Sequence, residues 1–280
     1  AKPFYRSGDA PEIAPGFDTL LAAYVLRSER STYPLRELAQ GYLEIPPPDT
    51  HPRLAVALER LGKELRERLT KEGQLEVLMT TELPLVPILA RMERYGVVAD
   101  RKQLQEFSKT LEIEIASVQA RIHELAGRTF TIGSPKQLGE VLFDELKLPG
   151  AKVTKTGYAT GVEILGELAA EHEIAGKVLQ WRELTRLKTT YADALDKLVA
   201  ADGRIHTTYN QAVAATGRLS SENPNLQNIP IRTELGRGIR KAFHAADGFT
   251  LASLDYSQIE LRILAHMCGE EALVTAFRTG

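Results

Sequence analysis

The sequence has one cysteine, Cys268, and lacks both a long apolar run and a secretory leader. A single cysteine cannot form an intramolecular disulfide, which excludes the disulfide-stabilised class of secreted domains. No stretch of about 18 apolar residues indicates a transmembrane helix, and no basic segment followed by an apolar one indicates a signal peptide. We therefore expect a cytoplasmic protein with no membrane partner.

A strong net charge is lacking as well. The 35 Lys and Arg residues and the 37 Asp and Glu residues give a net charge of −2, which does not indicate a nucleic-acid-binding protein. The segment 204–241 differs, because it has six basic residues against only two acids, Glu222 and Glu234. From charge alone, a phosphate-binding segment and a solvated basic loop explain this excess equally well. The basic residues are Arg204, Arg218, Arg232, Arg237, Arg240 and Lys241.

Apolar residues at helical spacing predict several helices before residue 200. Two amphipathic helices are predicted near residues 20–26 and 54–65, joined by an extended connector at Pro46-Pro47-Pro48. A long helix is predicted to begin at Asp100, with Gln103 as its reciprocal capping partner, and to stop at Gly127.

Three more helices are predicted in the middle of the chain. Ser134 with Pro135 predicts one start, and Thr160 with Glu163 predicts another. Apolar spacing predicts a second long helix over 177–199. This region is expected to form a helical arm, with residues 152–157 at the tip between its helices.

The periodicity changes after residue 203. Alternation of Ile205, Thr207 and Tyr209 predicts a strand, and the polar segment 216–232 predicts a loop. The apolar run 249–254 predicts a buried strand, followed by a helix from Gln258.

Asp255 would then stand between a buried strand and a helix. Burying an unpaired carboxylate is costly, so Asp255 is expected to cap the helix, to be paired, or to bind a cation. From the residue types alone a helix cap is favoured, because aspartate is common before helices.

The full string Asp255-Tyr256-Ser257-Gln258-Ile259-Glu260-Leu261-Arg262 resembles motif A of family A DNA polymerases. Phosphoryl transfer of that kind uses two divalent ions about 3.5–4 Å apart, held by oxygen ligands. The resemblance implies that the Asp255 side chain and the Tyr256 carbonyl bind Mg²⁺. It also implies that Glu260 excludes a ribose 2′-hydroxyl, although a solvated helix glutamate is the alternative. The nucleotide-binding residues implied are Tyr256, Ser257, Gln258, Ile259 and Glu260, and Gln258 would also face the primer.

A second string is similar to the palm segment of the same family that holds the primer terminus. It comprises Thr216-Gly217-Arg218-Leu219-Ser220-Ser221 and Asn225-Leu226-Gln227-Asn228-Ile229-Pro230. The resemblance implies that Arg218 contacts the minor groove, where acceptors are nearly the same for every base pair. Hydroxyl groups can position phosphates. The DNA-contacting residues implied are Thr216, Arg218, Ser220, Ser221, Asn225, Gln227, Asn228 and Gln258, and the alternative is a turn-rich polar loop.

The helical arm resembles the thumb of the family. That resemblance implies DNA contacts from Ser134, Lys136, Lys152 and Lys155, although a lysine at a helical tip is commonly only solvated. The segment Leu187-Lys188-Thr189-Thr190-Tyr191 resembles another family segment beside the DNA, which implies contacts from Lys188 and Thr189. Near the start, Phe17-Asp18-Thr19-Leu20-Leu21 resembles a late segment of a proofreading exonuclease domain, but the sequence contains no Asp-x-Glu pair for its metals.

These resemblances imply an α+β fold in four parts. A truncated, inactive 3′–5′ exonuclease-like region is expected over 1–75, a lead-in helix of the palm over 76–100 and a helical thumb over 101–180. The segment 181–280 is expected to be the first part of the antiparallel-sheet palm of a right-hand polymerase, without the fingers or the rest of the palm.

The implied function is that of a DNA-directed DNA polymerase acting in replication and repair, without proofreading. Asp255, Glu260 and Arg218 are the expected catalytic residues, and the expected partners are primer–template DNA and a deoxynucleoside triphosphate. One carboxylate cannot hold two ions, so a C-terminal fragment with the fingers and a second aspartate is expected to complete the enzyme. A catalytically silent DNA-binding clamp is the alternative, and Glu260 disfavours an RNA-synthesising relative.

Overall fold

A computed structural model of the chain describes residues 16–47, 50–155, 157–231 and 233–279. Residues 1–15, Pro48, Thr156 and Arg232, which the sequence predictions include, lie outside the described residues. The chain divides into two compact units, residues 1–244 and residues 245–280. No described helix is both long enough and apolar enough to cross a lipid bilayer.

The first unit begins with three helices: α1 (Thr19–Leu26), α2 (Leu35–Leu43) and α3 (His51–Lys71). The two helices predicted here are confirmed as α1 and α3, but only α3 is amphipathic, because α1 is buried along most of its length. The buried face of α3 is formed by Ala57, Leu61, Leu65 and Leu69, whereas Val56 and Leu58 are exposed. Pro46 and Pro47 lie in irregular chain between α2 and α3.

A helical stretch then leads to the middle of the chain. It consists of α4 (Leu75–Val77), a π-helical segment (Leu78–Glu82) and α5 (Leu83–Tyr95). Leu78, Leu83 and Val86 pack in one hydrophobic cluster with α1 and α3. This packing attaches the N-terminal helices to the helix that precedes the arm.

The first long helix is α6 (Arg101–Ala126). Asp100 caps it by accepting the N–H groups of Lys102 and Gln103, and Gly127 ends it in the left-handed region at φ 73°. Both predicted ends are confirmed. The reciprocal half of the capping box is wrong, because the backbone N–H of Asp100 donates to the Ala242 carbonyl.

The arm continues with α7 (Pro135–Gly139), a π-helical segment (Glu140–Glu145), the hairpin strands β1 (Val153–Thr154) and β2 (Gly157–Tyr158), and α8 (Val162–Ala169). The cap of α7 is confirmed, since the Ser134 hydroxyl accepts the N–H of Gln137. The start of α8 was predicted one residue early: Gly161 is its N-cap. The carbonyl and hydroxyl of Thr160 accept hydrogen bonds from Arg182 instead.

The second long helix consists of α9 (Glu173–Arg186), a π-helical segment (Leu187–Ala192) and α10 (Asp193–Leu198). It runs antiparallel to α6, because Arg121 near the end of α6 pairs with Glu173 while Ser108 near its start contacts Asp193. The two helices bury a common core, to which Leu104, Leu111, Val178, Leu184 and Leu187 belong.

Six short strands form three antiparallel pairs among the described residues. In the arm, β1 (Val153–Thr154) pairs with β2 (Gly157–Tyr158). Two more pairs join β3 (Val97–Val98) to β4 (Arg204–Ile205) and β5 (Thr208–Asn210) to β6 (Ser220–Glu222). The predicted strand at 205–209 is therefore divided between β4 and β5, and helix α11 (Glu234–Arg240) follows.

Strand β3 lies between α5 and α6 in the chain. Mixed helices with small antiparallel sheets confirm the α+β class in its coarse form.

The second unit contains α12 (Ile259–Cys268) and α13 (Glu271–Thr279). The predicted helix after Gln258 is confirmed. The predicted buried strand over 249–254 is wrong, because that segment is irregular and Leu254 is 92% exposed. An apolar segment forms a strand only where a neighbouring strand satisfies its backbone, and no described strand pairs with this one.

Candidate functional site

Asp255 lies in an exposed turn ahead of α12. The N-cap position of α12 is Gln258, at φ 52°, and no side chain caps the helix there. The favoured interpretation of Asp255 as a helix cap is therefore wrong. Its carboxylate is exposed, so the burial argument for pairing it does not apply either.

Arg262 holds this turn in contact with α13 of the second unit. Its Nε donates to the Ser257 carbonyl at 2.9 Å, and its guanidinium lies 4.9 Å from the centre of the Phe277 ring. Another nitrogen of Arg262 donates to the Phe277 carbonyl at 3.3 Å. Arg262 is thus a structural residue that ties the start of α12 to α13.

All five residues that the sequence predicts to bind nucleotide are exposed on this turn and the first turn of α12. Tyr256 is 80% exposed and Ile259 is 42% exposed. The five residues are Tyr256, Ser257, Gln258, Ile259 and Glu260.

The chemistry of a magnesium ion fits this turn in part. Mg²⁺ prefers oxygen ligands, and the Asp255 carboxylate and the Tyr256 carbonyl are oxygen donors. Among the described residues, no group of three or more His, Cys, Asp or Glu side chains lies close enough to hold a metal. The two oxygens at this turn are therefore suitable donors for Mg²⁺, but they are fewer than the octahedral set that the ion takes.

The second predicted string surrounds the hairpin of β5 and β6 in the first unit. Tyr209 pairs with Ser221 and Asn210 with Ser220, and the loop 211–219 joins the two strands. Thr216 and Arg218 are exposed on this loop. The loop therefore presents to the surface two of the side chains predicted to contact DNA.

Ser220 and Ser221 are placed differently from the prediction. Ser221 is fully buried at 0% exposure, and its hydroxyl lies 2.7 Å from the Thr207 hydroxyl and accepts the Leu226 N–H at 3.1 Å. The Ser220 hydroxyl is also buried, with no hydrogen-bond partner within the described chain. Both hydroxyls are therefore buried within the protein, whereas the prediction places them against phosphates.

The segment 225–228 folds back on the hairpin. The Asn225 side chain accepts the backbone N–H groups of Gln227 and Asn228, at 3.0 and 3.3 Å. The Gln227 amide donates to the Leu219 carbonyl at 2.8 Å, and the Tyr191 hydroxyl donates to the Asn228 carbonyl at 2.5 Å. All three side chains predicted to contact DNA here are exposed, but those of Asn225 and Gln227 also hold the segment in place.

Buried Glu93 supports the same hairpin from α5. It is 4% exposed, and its Oε1 accepts the backbone N–H of Tyr209 at 2.8 Å. Burial raises the pKa of the Tyr209 hydroxyl, and the nearby charge of Glu93 raises it further.

Lys188, predicted to contact DNA, is engaged inside the protein. Its Nζ lies 3.0 Å from Oδ2 of Asp193 and donates to the Ser108 hydroxyl at 3.0 Å. The Thr189 hydroxyl is exposed and donates to the Thr185 carbonyl at 2.8 Å. Lys188 therefore connects the two long helices, and its charge is neutralised locally.

The other residues predicted to contact DNA lie near the tip of the arm. Lys136 is exposed on α7, and Lys152 and Lys155 are exposed at the hairpin of β1 and β2. The hairpin packs closely on α7, since a Cβ on Gly139 would lie 2.7 Å from the Cβ of Tyr158. The Ser134 hydroxyl is used as the cap of α7.

The sequence model of DNA polymerase family A matches residues 101–280. The chain belongs to DNA polymerase family A. The matched segment contains the Asp255 turn, the hairpin of β5 and β6 and both long helices.

Named relatives in this family are bacterial DNA polymerases I. The chain is 43% identical to DNA polymerase I of Caldicellulosiruptor bescii over 266 residues, which is 93% of this chain and 31% of that protein. It is 45% identical to the thermostable DNA polymerase I of Thermus thermophilus, over 96% of this chain and 32% of that protein. The chain thus spans about a third of the length of these family A relatives.

The fold of this chain resembles that of a solved polymerase domain. The POL domain of Pol1 from M. smegmatis, in complex with DNA primer–template and dNTP, superimposes with a TM-score of 0.82 at 43% identity. The match covers 94% of this chain and 47% of that one.

Two residues that support the site were not found from the sequence of this family A chain. They are Glu93 and Tyr24, whose hydroxyl donates to the Ala214 carbonyl of the loop 211–219 at 2.6 Å. Neither belongs to a local motif, because each contact joins segments more than 100 residues apart.

Proposed function

We propose that the chain is part of a DNA-directed DNA polymerase that adds deoxynucleotides to a primer in replication and repair. The observation that carries this proposal is the motif A string, exposed in a chain that belongs to DNA polymerase family A. The solved polymerase that the chain resembles binds primer–template DNA and dNTP, which supports both as partners.

The proposed roles follow the chemistry of each side chain. The Asp255 carboxylate and the Tyr256 carbonyl would hold Mg²⁺, which when bound neutralises the charge developing on the transferred phosphoryl group. Glu260 would occupy the space of a ribose 2′-hydroxyl. Arg218 would donate to minor-groove acceptors at the primer terminus, where a guanidinium can sense pairing without reading sequence.

We further propose the four-part organisation expected from the sequence. Residues 101–180 would form a thumb that contacts the DNA backbone through Lys136, Lys152 and Lys155, which are exposed. Residues 76–100 and 181–280 would belong to the palm. Residues 1–75 would be an exonuclease-like support, and these 280 residues contain no Asp-x-Glu pair that could bind the metals of a proofreading site.

Further ligands for the metal ions would come from polymerase residues outside these 280. A primer-extension assay with this chain and the complementary C-terminal part of a family A polymerase tests the proposal. Asp255→Ala should lower extension by about a hundredfold to a thousandfold or more, the scale of losing an electrostatic stabiliser of the transition state. Asp247→Ala is the matched control, since Asp247 is an exposed aspartate of the same unit.

Extension that survives Asp255→Ala would contradict the proposal. DNA binding without extension under every condition would support the alternative, a catalytically silent clamp. Glu260→Ala tests the sugar selectivity separately, and it should raise the incorporation of ribonucleotides. An unchanged preference for deoxynucleotides would remove the proposed role of Glu260.

A further inference from the structure

We propose that Tyr24, in the segment expected to be an inactive exonuclease-like remnant, is a positioning residue for Arg218. The inference rests on the proposed function, in which Arg218 contacts the primer terminus. Tyr24 would act by holding the loop 211–219 in the conformation that presents the guanidinium.

The contact lies at the turn immediately before Arg218. The Tyr24 hydroxyl donates to the Ala214 carbonyl at 2.6 Å. The Gly217 N–H donates to the same Ala214 carbonyl at 3.2 Å, and Gly217 has φ 81°. The Ala214 carbonyl that closes this tight turn therefore also accepts the Tyr24 hydroxyl, and the turn places Gly217 in a backbone region that favours glycine.

Tyr24 is itself held rigidly. It is 3% exposed in the hydrophobic cluster of α1 and α3, and its ring meets Tyr33 edge-on at 5.9 Å between centres. Burial raises the pKa of the Tyr24 hydroxyl, and the charge of Glu82 raises it further, so the hydroxyl stays protonated as a donor.

Two further contacts hold the same loop, one from Ser28 just after α1 and one from Glu82 in the π-helical segment before α5. The Ser28 hydroxyl donates to the Ala215 carbonyl at 2.9 Å. The Gln211 amide donates to the Glu82 carbonyl at 2.9 Å and to its carboxylate at 2.7 Å. The strands that flank the loop are three residues each, so their ladder alone cannot fix a loop that is longer than both.

The consequence is a link between the N-terminal helices and the primer terminus. A misplacement of about 1 Å far from the reacting atoms can lower a rate by two orders of magnitude. Loss of the Tyr24 hydroxyl should therefore lower the catalytic rate by changing the orientation of Arg218, without any contact between Tyr24 and DNA.

The experiment uses the polymerase assembled with this chain and compares Tyr24→Phe with Tyr33→Phe. Tyr33 is the matched control, because its hydroxyl also donates to a carbonyl at 2.6 Å, that of Arg27, within the N-terminal helices. We expect Tyr24→Phe to lower kcat/KM for extending a matched primer by about threefold to tenfold, the scale of one lost hydrogen bond. Tyr33→Phe should leave it unchanged.

A double-mutant cycle separates positioning from a general structural effect. In an Arg218→Ala background, Tyr24→Phe should cause no further loss of kcat/KM, because its effect acts through the arginine. Ser28→Ala, at a half-buried position where the hydroxyl donates to the Ala215 carbonyl, should show a smaller loss that is likewise absent in that background.

Three outcomes would overturn the inference. Tyr24→Phe could leave kcat/KM unchanged, as is expected of Tyr33→Phe, or the losses in kcat/KM from Tyr24→Phe and Arg218→Ala could multiply in the double variant. Either result would contradict the positioning role of Tyr24 and leave the proposed role of Arg218 intact. If Arg218→Ala alone leaves extension unchanged, the proposed role of Arg218 fails and the inference fails with it.

Discussion

Lys188 and Asp193 form an ion pair across the π-helical segment of the second long helix, with Nζ 3.0 Å from Oδ2. Ser108 of α6 joins the pair, since its hydroxyl lies 2.5 Å from Oδ1 of Asp193. A segment that resembles a DNA-contacting one in polymerases therefore also holds the two long helices of the arm together.

Replacing Lys188 should destabilise this contact. Lys188→Met leaves Asp193 half-buried without its cation, and we expect a loss of about 1–2 kcal/mol in unfolding free energy, with both groups partly exposed. Urea unfolding measures it. Lys109→Met, at an exposed lysine of α6, is the control and should have no comparable effect.

The same pair predicts a pH dependence. Burial acts to raise the pKa of Asp193, but hydrogen bonds from Ser108 and Lys188 outweigh it and hold the pKa below its ordinary value. The stabilisation is therefore present above the unfolded pKa of about 3.9 and is lost as the pH falls through the lower folded value. Asp193→Asn should lower the unfolding free energy at pH 7, and its difference from the native chain should shrink in acid. A difference that grows in acid would contradict the sign.

Salt dependence of DNA binding should distinguish the lysines of the arm. Lys152→Ala and Lys155→Ala remove exposed charges, so each should lower the slope of log affinity against log salt by about 0.9 if it contacts one phosphate. Lys188→Met should leave that slope unchanged, because its charge is already neutralised by Asp193. If all three variants lower the slope of log affinity against log salt equally, Lys188 contacts a phosphate as the sequence predicts.

Two adjacent serines should respond oppositely to the loss of a hydroxyl. Ser221→Ala removes the partner of Thr207 and of the Leu226 N–H, and we expect a loss of about 1–3 kcal/mol in unfolding free energy. Ser220→Ala removes a buried hydroxyl without a partner in the described chain, so it should be neutral or slightly stabilising. Comparable losses in both variants would contradict this assignment.

Gly236 of α11 sets the position of the segment that ends at Pro230. A Cβ there would lie 2.6 Å from the Cβ of Pro230 and 2.9 Å from its carbonyl oxygen, so Gly236→Ala must displace that backbone. We expect a loss of about 1–3 kcal/mol by thermal or urea unfolding, as in overpacked cores. Gly166→Ala in α8 is the control: no atom lies within 4 Å of its Cβ, and it should stabilise by about 0.5–1 kcal/mol.

Local signals in the sequence predicted helix ends well. Asp100, Gly127 and Ser134 act within one turn of themselves, so residue type is sufficient to place them. The start of α8 was misplaced because Thr160 accepts a hydrogen bond from Arg182 instead of capping the helix. The run 249–254 was wrongly predicted as a strand because a strand needs a partner strand, and no described strand pairs with it. Both errors concern contacts with distant residues.

The sequence by itself determined the family and the order of most helices, although it did not predict α2, α11 or α13. Only the tertiary structure decided which polar groups are already engaged: Ser221 is buried against Thr207, and Lys188 is neutralised by Asp193. It alone joined Tyr24 to Ala214, 190 residues away. The physical reason is that a cap or an apolar periodicity is satisfied within a few residues, whereas a buried hydroxyl or carboxylate finds its partner only where packing brings distant segments together.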